Sequence, residues 1–143
     1  MTGGTLDPLV VERHLSVLES SVSTLRGWQA TSVEALRTDI QLQWAVLHGL
    51  QLCAQNVLDV ATHLAVAAGK DAPDYATAID RLAELGVLDP GFAASLRSLA
   101  GFRNVLVHGY LALDLEIVRD VLAAHLGDFE RFAADVRAFE KAS

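Results

Sequence analysis

A single cysteine, Cys53, stands in the 143 residues, so an intrachain disulfide is impossible and no thiolate cluster exists for zinc. It lies among Leu52, Ala54 and Val57, the setting of a buried inert thiol rather than of a nucleophile. Also missing are a glycine-rich phosphate loop, His-Glu-x-x-His and Gly-x-Ser-x-Gly. With them go most cofactor-dependent and nucleophile-elbow enzymes, and neither a cofactor nor a metal is expected. No run of about 18 residues is free of charged or strongly polar side chains, so no membrane span is expected. The opening Met-Thr-Gly-Gly-Thr-Leu-Asp-Pro has neither the basic start nor the apolar core of a signal peptide, which places the expectation in the cytoplasm. Positive charge is short as well: 11 Lys and Arg against 18 Asp and Glu leave a net charge of −7. A protein that grips nucleic acid mainly by its phosphates is usually basic over the contact face. Chemistry on a polyanion would have to gather its cations at one site, or hold its substrate only briefly.

What is abundant is alanine, leucine and valine. The chain is 52% apolar with a mean hydropathy of +0.32, which favours an all-α fold and an apolar surface covered by a partner, with oligomerisation the default. One domain over residues 1–143 is expected. Asp7 with Pro8 starts a helix whose positions 11, 15, 18, 22 and 25 face inward, with Ser20, Ser21, Ser23 and Thr24 on the solvent side. A second helix is expected from Thr31 or Ser32 as far as Ala68. It carries one stripe through Leu42, Val46, Leu50, Cys53, Val57 and Leu64, and another through Ile40, Trp44, Leu47, Leu58 and Ala65, which makes it central in a bundle. A turn at 69–74 leads to a short helix to Leu85, with Ala76, Ile79, Leu82 and Ala83 inward and Gly86 as its stop. Asp89 and Pro90 open another, burying Phe92, Leu96 and Leu99. Gly101 offers a bend. Asp114 caps a last amphipathic helix through Val118, Leu122, His125, Phe129, Phe132 and Phe139.

Polar chemistry concentrates in Gly101-Phe-Arg-Asn-Val-Leu-Val-His-Gly-Tyr110, where Arg, Asn, His and Tyr crowd within an apolar stretch. At roughly 100° per residue, Asn104 and His108 share a helix face and Arg103 and Tyr110 share another, while Arg103 and His108 are offset by about 140°. One straight helix does not aim both at one small ligand. Either the helix is distorted near Gly109, or a second copy of the chain completes the site. On the long helix, His48, Asp59 and His63 interrupt the apolar stripes. Asp59 and His63, four apart, can meet as a hydrogen-bonded pair or as part of a site. Histidines so placed are more often satisfied structural residues. Asp39 and Asp59 are further candidates to assist from that helix.

Arg103-Asn104, three apolar residues, His108, one residue and Tyr110 together resemble the Arg-x4-His-x-Tyr motif of the HEPN superfamily, specifically the HepT-like toxins. The stretch from Trp44 to His63 is similar to that family's second helix, and Tyr75 to Asp114 to the segment leading into and past the motif, so the likeness covers about residues 6 to 140. The resemblance implies an up-and-down helical bundle of four to five helices. It implies the toxin of a type VII-like toxin-antitoxin system, a metal-independent endoribonuclease in which the Arg-x4-His of two subunits form one cleft. Arg103 and His108 would then be catalytic, with Asn104 supporting them by fixing the imidazole or touching phosphate. Its partners would be RNA, a second copy or a higher oligomer, and a minimal nucleotidyltransferase antitoxin that transfers AMP onto Tyr110. Gly109 is where relatives often carry a side chain. Two other readings stand beside this one. One is a catalytically inactive HEPN module that binds nucleotide or partner. In the other, Arg103 pairs with an acidic side chain, His108 is a buried helix residue, Tyr110 is a core aromatic, and the protein is a structural adaptor.

Overall fold

The computed structural model describes residues 6–108 and 113–142, which form eight helices and no strand. Helix α1 (Pro8–Arg26) starts as the sequence predicts: the Asp7 carboxylate accepts the Leu9 N–H at 3.0 Å and Pro8 takes the first turn. Val11, Leu15, Leu18, Val22 and Leu25 are all buried. Ser21, expected in solvent, is buried too, and its hydroxyl donates to the Val17 carbonyl at 2.7 Å. That internal bond lets a hydroxyl sit in an apolar seam.

The single helix expected between Ser32 and Ala68 is two. Ser32 does cap, its hydroxyl accepting the Ala35 N–H at 3.1 Å, but α2 (Val33–Thr38) stops at Asp39. Asp39 is extended at φ −104°, ψ 96°, and its carboxylate accepts the Leu42 N–H at 3.1 Å, opening α3 (Ile40–Ala67). An aspartate competes for backbone N–H groups and so favours a cap over a helix interior. The first stripe of α3 is buried from Val46 onward, and the second from Leu47. Ile40 and Trp44, expected inward, are 53% and 65% exposed, Trp44 lying beside an open groove lined by Leu47, Leu106 and Leu113.

Helix α4 (Tyr75–Glu84) is capped by Asp74, whose carboxyl is held below its usual range by the Thr77 backbone N–H at 2.7 Å. It ends at Gly86, at φ +79°, where a side chain would be strained. Ile79 and Leu82 are buried as expected; Ala78 takes the inward place expected of Ala76, and Ala76 and Ala83 are half-buried. Helix α5 (Pro90–Leu96) begins at Asp89 and buries Phe92 and Leu96. Helix α6 (Leu99–His108) runs through Gly101, so the bend falls at Arg97 and Ser98 instead. The last amphipathic run divides at His125 (φ −118°, ψ 4°) into α7 (Leu115–Ala124), capped by Asp114, and α8 (Leu126–Ala142). His125, expected inward, is exposed and pairs its Nδ1 with Asp128 at 3.0 Å. The all-α bundle is as expected, with eight segments rather than four to five because Asp39 and His125 each interrupt a long run and the turn at Arg97 and Ser98 parts α5 from α6.

Helix α3 is the axis: α1, α4, α6, α2 and α8 all pack on it. Antiparallel α1 is pinned to it by the Asp7 N–H donating to His63 Nε2 (3.2 Å), by His14 Nδ1 against Asn56 Oδ1 (2.7 Å), and by Leu25 lying on Gly49. On its other side α1 is tied to α8, where Arg137 is bidentate to both Glu12 and Glu19 at 2.8–3.3 Å and Arg26 pairs with Glu130. Arg137 holds the Glu19 carboxyl below its ordinary value. No helix among the described residues is long and apolar enough to cross a membrane.

Two glycines on helices are expected to respond oppositely to alanine. A Cβ on Gly49 would lie 2.7 Å from Leu25 Cδ2 and 3.0 Å from its Cγ, whereas one on Gly101 meets nothing within 4 Å. Gly49→Ala should lose up to about 2 kcal/mol, overpacking exceeding the gain in helix propensity. Gly101→Ala should gain up to about 1 kcal/mol; denaturant melts of the two variants check the sign. Arg137→Gln should cost about 1 kcal/mol at neutral pH, the partly exposed ion pairs being screened. Because Glu19 is depressed in the folded state, that stability is present above its unfolded value of 4.5 and is lost as pH falls through the lower folded value. Melts of wild type and Arg137→Gln should therefore converge in acid.

Candidate active site

Arg103 sits in the middle of α6 and turns toward α3 and α4. Its Nε–H donates to Gln55 Oε1 at 2.7 Å, its Nη1 donates to Asn104 Oδ1 at 3.1 Å, and its guanidinium carbon lies 5.8 Å from the centre of the Tyr75 ring. Gln55 is held in turn: its Nε2 donates to Asp59 Oδ1 at 2.8 Å and to the Tyr75 hydroxyl at 3.2 Å. A half-buried cation is thus seated by a neutral amide, an amide side chain and an aromatic face.

What Arg103 does not touch is as informative. Arg26, Arg37, Arg81, Arg97, Arg119, Arg131 and Arg137 each pair with a carboxylate within 4 Å. Among the described lysines and arginines, Arg103 and the exposed Arg13, Lys70 and Lys141 lack such a partner, and of these four Arg103 alone is half-buried and held by side-chain hydrogen bonds. In a chain of net charge −7 that leaves Arg103 an ordered cation whose charge is not cancelled. The expectation that it merely pairs with an acid is not met.

His108 closes α6, exposed and without a hydrogen bond to any described residue. Buried-helix histidine is therefore also not its role. The α-helix is regular from Leu99 to His108, so the angular offset of about 140° between Arg103 and His108 persists. Asn104 is exposed and joined to Arg103, not to His108. Gly109 and Tyr110 lie outside the described residues.

The remaining candidates separate. Asp39 is a helix cap, and His63 accepts the Asp7 backbone N–H rather than meeting Asp59. Asp59 does reach the site, through Gln55. His48 is exposed on the rim of an apolar groove of about 580 Å3 floored by Leu47, Leu106 and Leu113, with Trp44 beside it. A second groove, of about 650 Å3 between α5–α6 and α7–α8, is lined by Phe102, Val105, Ile117, Val121 and Phe129. Among the described residues no three His, Cys, Asp or Glu side chains gather as a metal site would need. Sequence reasoning passed over Gln55 and Tyr75. The spacing of Gln55 and Asp59, four apart on one face, was the available signal.

A profile described as ribonuclease HepT-like matches residues 11–136. The chain belongs to the HepT-like family. A HepT-like relative, the mRNA nuclease HepT of Shewanella oneidensis, is 31% identical over 103 residues, covering 71% of this chain and 77% of that protein. The tRNA nuclease HepT of Aphanizomenon flos-aquae is 21% identical over 136 residues, 94% of this chain and 92% of that one. The HepT-like fold is shared with the tri-AMPylated Shewanella oneidensis HEPN toxin solved in complex with its MNT antitoxin, at a TM-score of 0.81 and 23% identity over 93% of this chain and 99% of that one. It is shared as well with the cytosolic protein YutE of Bacillus subtilis, at a TM-score of 0.81 and 20% identity over 96% and 92%.

Cys53 is buried, and desolvation pushes its thiol up to about 12. It should resist thiol reagents in the native protein at pH 8 and react within minutes once denaturant is added. Rapid labelling under native conditions would place the thiol at an accessible site instead.

Proposed function

We propose that this HepT-like protein is the toxin of a toxin-antitoxin pair and an endoribonuclease that cleaves RNA without a metal. The observation that carries the reading is the uncancelled, oriented guanidinium of Arg103 within the Arg-x4-His motif of a family whose relatives include mRNA and tRNA nucleases.

The chemistry needs three things: a base for the 2′-hydroxyl, charge stabilisation for the phosphorane, and an acid for the leaving 5′-oxygen. His108 takes the proton from the 2′-oxygen as that oxygen bonds to phosphorus. A second imidazolium protonates the 5′-oxygen as its bond to phosphorus breaks. The products are a 2′,3′-cyclic phosphate and a 5′-hydroxyl, with Arg103 holding the non-bridging oxygens. One chain supplies one His108, about 140° round the helix from its own Arg103. Two chains meeting about α6 supply two of each and resolve the offset. The exposed His108 and the apolar grooves flanking α6 support such a homodimer.

Neutralisation follows the same geometry. A minimal nucleotidyltransferase partner transferring AMP onto Tyr110, two residues past His108, would add bulk and a negative phosphodiester where RNA must lie. The tri-AMPylated HEPN toxin with its MNT antitoxin supports that partner and that modification.

Cleavage of total RNA by the purified protein in excess EDTA, with the product ends analysed, tests the reading. Wild type should leave a 2′,3′-cyclic phosphate, and His108→Ala should be slower by about 100-fold or more. Equal cleavage by both removes His108 from the chemistry. Silence from a protein whose intact mass shows no AMP adduct favours an inactive nucleotide- or partner-binding module.

A further inference from the structure

Gln55 is a side chain whose two ends differ in hydrogen-bonding sense, and its neighbours leave it one orientation. Arginine can only donate, and an ionised aspartate can only accept. With Asp59 on one side and Arg103 Nε on the other, the Gln55 amide must turn its NH2 to Asp59 (2.8 Å) and its oxygen to Arg103 (2.7 Å). The Tyr75 hydroxyl, 3.2 Å from the same Nε2, takes the second amide proton while its ring lies under the guanidinium. Asn104 Oδ1 occupies Nη1. Every hydrogen bond and ring contact of the guanidinium is thus made with a neutral group, and Nη2 makes no hydrogen bond or ion pair to a described residue.

From this we infer that Gln55, locked by Asp59 and Tyr75, is the positioning residue of the Arg103 site: it sets the guanidinium angle without cancelling the charge, so that Nη2 is presented to a phosphate. The inference deepens the ribonuclease reading and rests on it. A carboxylate at position 55 would make a stronger bond to Arg103 but would neutralise the charge the phosphate needs. An amide gives direction alone. Asp59, one side chain away, supplies the polarity that stops the amide from flipping and turning its NH2 against the guanidinium. Once Asp59 is made asparagine, so that no like charge faces position 55, a plain helix-to-helix staple joining α3 and α6 would be served equally well by glutamate, and that difference separates the two roles.

Single-turnover cleavage of total RNA in EDTA, with folding checked by circular dichroism, compares wild type with Gln55→Ala, Gln55→Glu made together with Asp59→Asn, Asp59→Ala, Asp59→Asn, the Gln55→Ala/Asp59→Ala double variant and Arg103→Ala. Gln55→Ala and Asp59→Ala should each slow cleavage by about tenfold or more, and the double variant should lose no more than Gln55→Ala alone, since the two act as one unit. Asp59→Asn, which can still accept through its carbonyl, should keep most of the rate. Gln55→Glu, made together with Asp59→Asn so that no like charge faces it, should fold as wild type yet show a raised KM, the ion pair drawing Arg103 away from phosphate. Wild-type kinetics in Gln55→Ala or in Gln55→Glu with Asp59→Asn, beside an inactive Arg103→Ala, overturns the positioning role and leaves the ribonuclease reading standing. So do losses that multiply in the double variant. If wild type and Arg103→Ala cleave alike, or neither cleaves, it is the ribonuclease reading that falls. The relay is then decided by the Arg103 Nε–H resonance, assigned by its loss in Arg103→Ala. Protection from exchange that disappears in Asp59→Ala supports the relay, and protection unchanged in that variant refutes it.

Discussion

Burying α3 along most of its length obliges its polar side chains to find partners inside the protein, and those partners are what hold the bundle in one arrangement. Asn56 takes His14 of α1, His63 takes the backbone entering α1, and Gln55 takes Arg103 of α6 and Tyr75 of α4. Apolar packing alone would tolerate a helix sliding by a turn. A hydrogen bond at 2.7 Å between named atoms does not. The catalytic candidate is therefore positioned by the same requirement that registers the fold, and the half of α3 facing α4 and α6 is the half that holds it.

The second determinant is how cations are distributed in an acidic chain. Seven arginines are spent on carboxylates, mostly at the surface, where each pair contributes little to stability, and the unpaired Arg13, Lys70 and Lys141 are exposed. Against that background one ordered arginine facing a neutral amide is a focus for an anion out of proportion to the net charge. The total of −7, which argues against a broad nucleic-acid-binding face, does not argue against a single phosphate site.

The parts of this structure legible in the sequence are those decided within a few residues. Asp7, Ser32, Asp74, Asp89 and Asp114 announce their helices because a cap acts on N–H groups two or three positions away. Asp39 and His125 were passed over because each falls within a run whose apolar spacing continues across it, so periodicity concealed the break. Ser21 reads as solvated because it is polar, and it is buried because its hydroxyl is satisfied by its own helix. Arg103 and His108 stood out by motif, but Gln55 could not, since its bond to Arg103 joins residues 48 apart and glutamine is unremarkable on any helix. Asp59 was noticed for its neighbour His63, and tertiary structure gave each a different partner.

The ion pairs of Arg137 with Glu12 and Glu19 and of Arg26 with Glu130 join residues 104 to 125 apart. Closing that seam brings together segments far apart in the chain, which makes the docking of α8 on α1 a contact of high loop-closure cost. The Asp59–Gln55–Arg103 chain shares no residue with the seam. Weakening the edge where the terminal helices meet therefore removes no side chain that aims the guanidinium.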